Sequence, residues 1–259
     1  MTSEPVLPES DHFPEAGAPP ARGSRLISRL LPPAIRLWLH SQLDHIEGLE
    51  FAIDGSDRQI LGGYLPAVTV AARQAVYQGL HVSQAEVSAA AIRMNLPQVL
   101  RGKPLRLLQP FPVEGQVTVL ADDLRASLRS PLLGEGLKQA LTLLLAQADT
   151  PNLEAWLGED AAAEVDIALA IDQLTLRWPG AAPTADSLVL TMGLAMKEGR
   201  WLCLRQPVVT LLPATGEPPP PLALEVITFD LGPEVEIREL AITPAGIDLV
   251  GTVRVIPAD

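Results

Sequence analysis

The side chains able to do chemistry are few, and their spacing assembles no catalytic constellation. The histidines are His12, His40, His45 and His81. None stands at metal-ligand spacing with cysteine or carboxylates. His40 and His45 are five positions apart, which on a helix puts them on different faces, so neither a zinc site nor a histidine dyad follows. Cys203, the single cysteine, lies in the strand-like run Trp201-Leu202-Cys203-Leu204; a buried, inert thiol is expected there, and no intramolecular disulfide can form. No glycine-rich phosphate loop opens a helix after a strand, and neither G-x-S-x-G nor H-E-x-x-H occurs. Asp122-Asp123 and Glu159-Asp160 offer acid/base groups. Adjacent residues diverge on a helix, however, and acids in a first helical turn are favoured by the helix dipole without any catalytic role. The expectation is a non-enzyme without metal or cofactor.

Two sets of residues could serve a lipid ligand. The first is cationic. Arg25, Arg29 and Arg36 accompany Leu30, Leu31, Ile35 and Trp38, the composition of an interfacial helix with Trp at headgroup depth and cations toward anionic lipid. Arg101, Lys103 and Arg106 place three cations within six residues of a loop, where they can meet phosphate. A helix packed on its own domain and a solvated loop fit the same residues. The second set is aliphatic. Leu188, Leu190, Met192, Leu194 and Met196 alternate with the small, uncharged Val189, Thr191, Gly193 and Ala195, and Leu137, Leu141, Leu144 and Leu145 form an apolar helical stripe. Together they can line an acyl-chain groove, and stripes at structural period also fit an ordinary core.

Positioning these residues falls to two helical regions and a series of strands. Residues 1–22 are acidic and rich in proline, too poor in large apolar groups to offset ordering entropy, and read as a disordered tail. From Ser24 the pattern is helical, broken at Pro32-Pro33, and resumes through Ile35, Trp38, Leu39, Leu43 and Ile46 until Gly48. Period-two alternation follows from Leu49 to Ile53, with further strands at 66–72, 80–94 and 113–120, and a short helix capped by Asn95 in between. Asp122 and Asp123 open the second helical region, Pro131 breaks it, and a core helix is expected over 132–147. Strands at 164–178, 187–197, 200–211, 222–230, 234–243 and 246–256, joined by short turns, predict an antiparallel meander. Residues 23–259 read as one elongated α+β domain.

Hydrophobic residues make up 47% of the chain and aromatics only 4%, so the interior is aliphatic, which suits both a stable core and an acyl chain. The net charge of −12 excludes nucleic acid as the main partner, because phosphate neutralisation needs a basic surface. The charge is polarised, with ten bases against six acids over residues 22–106, as suits one end meeting an anionic surface. No stretch approaches the ~18–20 apolar residues of a membrane span. The N-terminus lacks the basic start and apolar stretch of a signal peptide, so a cytoplasmic location, peripheral on the inner face of a membrane, is expected.

Several blocks carry a family resemblance: Leu31-Pro32-Pro33 with Ile35-Arg36-Leu37-Trp38-Leu39, Asp57-Arg58-Gln59-Ile60-Leu61-Gly62-Gly63-Tyr64-Leu65-Pro66, Ala75-Val76-Tyr77-Gln78-Gly79-Leu80, and Gln98-Val99-Leu100-Arg101-Gly102-Lys103-Pro104-Leu105. The chain resembles a bacterial, non-exported branch of the LmeA-like phospholipid-binding family over about residues 25–256. The resemblance implies phospholipid binding and a tubular lipid-binding (TULIP-like) architecture, in which a long curved antiparallel sheet wraps one or two long helices. It supplies no catalytic residues. The leading expectation is a non-enzymatic phospholipid-binding protein, peripheral on an anionic membrane surface. A peripheral membrane scaffold is the alternative, and a hydrolase assembled from distant positions ranks third.

Overall fold

The computed structural model describes residues 43–99, 101–147, 165–179 and 186–257. Their backbone is dominated by antiparallel strands arranged in two open sheets.

The first sheet has the order β1-β2-β3-β4-β12-β11, built from β1 (His45–Asp54), β2 (Tyr64–Tyr77), β3 (Leu80–Arg93), β4 (Phe111–Leu120), β11 (Val235–Ile242) and β12 (Gly246–Val255). Alternation makes its two faces chemically distinct. One cross-strand row runs Phe51, Val70, Val87, Gly115, Gly251, Ile237, and the next runs Ala72, Ala85, Val117, Leu249, Leu240. The opposite face carries Thr69, Arg73, Gln84, Glu86, Ser88, Glu114 and Gln116, all exposed. The β2–β3 turn places both Gln78 and Gly79 at positive φ, 49° and 77°. That backbone twist matches the flanking strands of a two-residue hairpin.

The second sheet has the order β10-β8-β7-β6-β5, with β9 also paired to β8. Its strands are β5 (Asp166–Ala170), β6 (Gln173–Trp178), β7 (Ser187–Lys197), β8 (Trp201–Leu212), β9 (Leu222–Ala223) and β10 (Ile227–Asp230). Leu204 of β8 pairs with Ile227 of β10 and Val209 with Leu222 of β9, so one long strand serves two short ones. Here the strand expected over 164–178 divides into a hairpin. The apolar phase flips at its turn, from Val165, Ile167 and Leu169 to Leu174, Leu176 and Trp178, and Ile171 at the turn is 78% exposed. The run expected over 222–230 likewise divides, into β9 and β10.

The single long curved sheet is corrected to two sheets, for a reason visible at β11. Its free edge is occupied by the turns of the second sheet: the Asp172 N–H donates to the Ile242 carbonyl (3.0 Å) and the Ile237 N–H to the Gly199 carbonyl (2.7 Å). A sheet whose edge groups are taken by turns cannot continue through them.

The helices among the described residues are α1 (Asp57–Leu61), α2 (Leu96–Val99), α3 (Ala121–Ser127) and α4 (Pro131–Ala146). Only α4, at 16 residues, has any length, so one or two long helices are not what these residues form. Ser130 starts it: the Ser130 hydroxyl accepts the Leu133 N–H at 3.1 Å, and Pro131 occupies the first helical position, where its missing donor costs nothing. Helix expected up to Gly48 gives way to β1 from His45, because the edge strand gains a full ladder to β2. The rest of that helical expectation, and the tail at 1–22, lie outside the described residues.

Two apolar clusters result. The larger joins α4 to the inner face of the second sheet, with Leu144 and Leu190 fully buried. The smaller gathers Ile60, Leu65, Val68, Ile92, Met94, Leu96 and Phe111 at the opposite end of the first sheet, under α1 and α2.

Candidate functional site

Helix α4 does not close completely onto the second sheet. Leu133, Gly136, Leu137 and Ala140, recurring at helical spacing, form one wall of a cavity of about 290 Å³. The facing wall alternates along three strands: Leu174 and Leu176 of β6, Met192 and Leu194 of β7, and Leu202 and Leu204 of β8. Register explains the match, since Leu174 pairs with Met192 and Leu194 with Leu204. Leu124 and Leu128 of the α3 segment, with Ile167 and Ile247, close one end; Phe229 and Leu231 stand at the other. Every lining residue is apolar or glycine.

The cavity is buried on one side and open on the other. Leu174, Leu176, Met192 and Ala140 are buried, whereas Leu133, Leu137, Leu202 and Phe229 are half-buried and Leu231 is 39% exposed. At Gly136 the space beside α4 is open: a Cβ built there meets nothing within 4 Å. Because one side is open, an apolar occupant that covers these walls gains ~25 cal/mol for each Å² of apolar surface removed from water; an enclosed apolar cavity of about 150 Å³ already takes benzene.

An ion pair stands beside the open end. Arg200 donates through Nε and an Nη to both oxygens of Asp230 and stands 5.3 Å over the Trp201 ring. The hydrogen bond from Arg200, then that from the Gly232 N–H, hold the Asp230 carboxyl below its ordinary range, and the same pairing raises the Arg200 guanidinium. The Leu231 N–H donates to the Arg200 carbonyl at 3.1 Å, tying this pair to the cavity's edge.

The structure brings together some of the sequence-expected residues and separates others. Leu137, Met192 and Leu194 line the cavity. Leu141, Leu144 and Leu190 are packed core, 2%, 0% and 0% exposed, and Met196 is half-buried opposite Leu202. Arg101, Lys103 and Arg106 are exposed on a loop at the α2 end of the first sheet. That is the full length of β4 away from α3, nine residue steps, or roughly 30 Å at ~3.3 Å each. Arg25, Arg29, Arg36 and Trp38 lie outside the described residues. The lining residues of β6 and β8 carry a readable alternation, but only packing discloses which face turns toward α4.

Ser83, Asp123, Ser127 and the His81 backbone are joined by hydrogen bonds. The Ser83 hydroxyl donates to the Asp123 carboxylate and accepts the Leu120 N–H; Ser127 Oγ accepts the His81 backbone N–H at 2.7 Å and donates to the Asp123 carbonyl. These bonds latch α3 to β3, and the His81 ring takes no part in them. Cys203 is buried, its Sγ 3.7 Å from the Trp201 carbonyl. Among the described residues no cluster of His, Cys, Asp or Glu has metal-binding geometry, and no helix is long and apolar enough to cross a membrane.

The family model for LmeA-like phospholipid-binding proteins matches residues 22–252, nearly the whole chain, and the chain belongs to that family. No curated protein and no solved structure matches it.

Proposed function

Starting from membership of a phospholipid-binding family, we propose that this chain carries a phospholipid by sequestering part of one acyl chain in the cavity between α4 and the second sheet. The observation that carries this reading is the lining: ten leucines, two isoleucines, a methionine, a phenylalanine, an alanine and a glycine, around about 290 Å³. Such a site offers a hydrocarbon chain dispersion contacts and removal from water, and offers a polar substrate nothing. Its volume stands at the small end of ligand pockets, ~300–1,000 Å³, so it suits a stretch of one chain with the headgroup outside. The Arg200–Asp230 pair at the open end lets that headgroup stay solvated beside charges that are already satisfied.

The role is non-enzymatic carriage, with the loaded protein exchanging lipid at a membrane to which it binds peripherally. Native mass spectrometry of the purified full chain, followed by organic extraction, tests it. The expected result is an adduct of one phospholipid per chain, displaced by added single-chain amphiphile. A chain that purifies free of lipid and takes up none from vesicles overturns the reading.

A further inference from the structure

The end of the first sheet that carries α1, α2 and the 101–106 loop combines two features that are separate in sequence. Across four adjacent strand ends stand large aliphatic side chains turned to solvent: Leu61 at the end of α1, Leu108 before β4 and Ile256 after β12 are 48%, 60% and 55% exposed. They are neighbours in space. Leu61 leads through two glycines into Tyr64, which pairs with Arg93; the Leu108 N–H donates to the Arg93 carbonyl at 2.9 Å; and Val255, beside Ile256, pairs with Phe111. Four strands at ~4.8 Å spacing make this edge roughly 15 Å wide.

Five exposed cations surround those side chains: Arg58 on α1, Arg93 at the end of β3, and Arg101, Lys103 and Arg106 on the loop. Asp54, Asp57 and Glu234 are acids at the same end, where Arg254 is a further exposed cation, its backbone N–H donating to the Glu234 carbonyl at 2.8 Å. None of the five cations is in a salt bridge among the described residues, whereas Arg125 and Arg200 elsewhere are paired with aspartates. This basic end belongs to a chain of net charge −12.

The loop is also held in place. Asn95, only 5% exposed, accepts the Arg106 N–H through Oδ1 at 2.7 Å and donates through Nδ2 to the Pro104 carbonyl at 3.0 Å. Its own N–H donates to the Arg106 carbonyl, and the Lys103 N–H donates to that of Gln98. Gly63, at φ 81°, lets the α1 segment close against this framework, since a Cβ there would stand 2.2 Å from the Met94 carbonyl oxygen. A tip held in this way keeps aliphatic side chains in water beside exposed cations, of which Arg93 stands 5.3 Å over the Tyr64 ring.

We propose that this end of the first sheet is a membrane-docking face that takes the anionic surface of a phospholipid bilayer, with Leu61, Leu108 and Ile256 entering the headgroup region and the five cations meeting phosphates. Charge complementarity selects the occupant: a neutral apolar partner leaves the cations unmet, and nucleic acid leaves the aliphatics in water. The half-buried apolar face of the first sheet runs from this tip toward the α3 end, where Ile247 lines the cavity. The docking face rests on the lipid-handling reading for its purpose, and its test is separable from that of the cavity.

Flotation of the full chain with vesicles decides it, comparing mixed phosphatidylglycerol and phosphatidylcholine with phosphatidylcholine alone. Each surface cation strengthens binding to an anionic membrane about fivefold, so Arg101→Gln/Lys103→Gln/Arg106→Gln is expected to weaken partition about 100-fold. Lys138→Gln/Arg205→Gln, which removes exposed cations from α4 and β8, is expected to leave it unchanged. All five positions are exposed, so unchanged thermal midpoints establish that the variants fold. Equal partition to both vesicle types, or undiminished partition of the triple variant, overturns the proposal. A triple variant that no longer floats yet retains co-purified lipid supports the docking face and the cavity together. A wild-type chain that floats without carrying lipid overturns the cavity alone.

Discussion

Replacing Gly136 tests the cavity from inside the helix that forms it. Gly136 is in the interior of α4 and faces the cavity, and a Cβ added there has open space to 4 Å. Gly136→Ala therefore gains helix propensity, about 1 kcal/mol, with no steric charge against it. For a domain of this size that raises the midpoint of thermal unfolding by ~2–4 °C. Gly136→Leu adds to this a branched side chain directed at Leu176, Met192 and Leu204. Full burial of Leu contributes ~1.5–3 kcal/mol; one side of the cavity is open, so about half of that is expected.

The two substitutions must then part company on lipid. Gly136→Ala leaves nearly all of the volume and should retain one phospholipid per chain. Gly136→Leu fills the centre and should lose it. Loss of ligand removes the linked stabilisation, about 2.7 kcal/mol at a hundredfold excess over Kd. The order of thermal midpoints is accordingly expected to invert: the Leu variant above wild type after delipidation, and below it once both are given lipid. Differential scanning calorimetry on both forms, with native mass spectrometry for stoichiometry, reads the result. If Gly136→Leu binds lipid with unchanged stoichiometry and affinity, the cavity is not the binding site. A Gly136→Ala variant less stable than wild type refutes the open space beside the helix.

Three further outcomes follow from the same structure. Ser130→Ala removes the acceptor of the Leu133 N–H and should cost about 1 kcal/mol, read as a lower urea midpoint with an unchanged slope. Asn95→Ala strands the Arg106 N–H and the Pro104 carbonyl; it should destabilise by ~1–3 kcal/mol and speed hydrogen exchange at the Arg106 amide. The Asp230 carboxyl is lowered by Arg200 and then by Gly232, so its stabilising contribution is present above the ordinary carboxylate pKa and is lost as pH falls through its depressed folded value. Carboxyl NMR titration should find Asp230 below the ordinary range in wild type and moved upward in Arg200→Ala; identical midpoints in the two proteins contradict the pairing.

Periodicity carried much of the fold because alternation is a local signal. The strands at β1, β3, β4, β7 and β12 and the helix from Pro131 are legible in Leu49-Glu50-Phe51, in the run from Leu188 to Met196, and in the 133, 137, 141, 144 stripe. Where the reading failed, a competing local rule was available. The odd-to-even flip between Leu169 and Leu174 marks a two-residue turn, and the helical pattern around Leu43 and Ile46 yields to the ladder that β1 gains on β2. At the site, the sequence offered Leu137, Met192 and Leu194 together with Leu141, Leu144, Leu190 and Met196. All seven are apolar at the same periods, and nothing local separates the three that line a cavity from the four that do not.

What the sequence determined by itself is the chemical character of this protein: an aliphatic interior, a basic stretch on an acidic chain, an antiparallel architecture, and no local catalytic motif. Each of these is fixed by residue identity and near-neighbour spacing. Tertiary structure alone decided that the strands form two sheets, because turns of the second occupy the edge of β11. It also decided that α4 leaves a cavity against the second sheet, and that the cations of the 101–106 loop lie at the same end of the first sheet as Leu61 and Ile256. Those outcomes depend on contacts between segments more than a hundred residues apart, such as β12 beside β4, where register and packing decide what spacing along the chain does not.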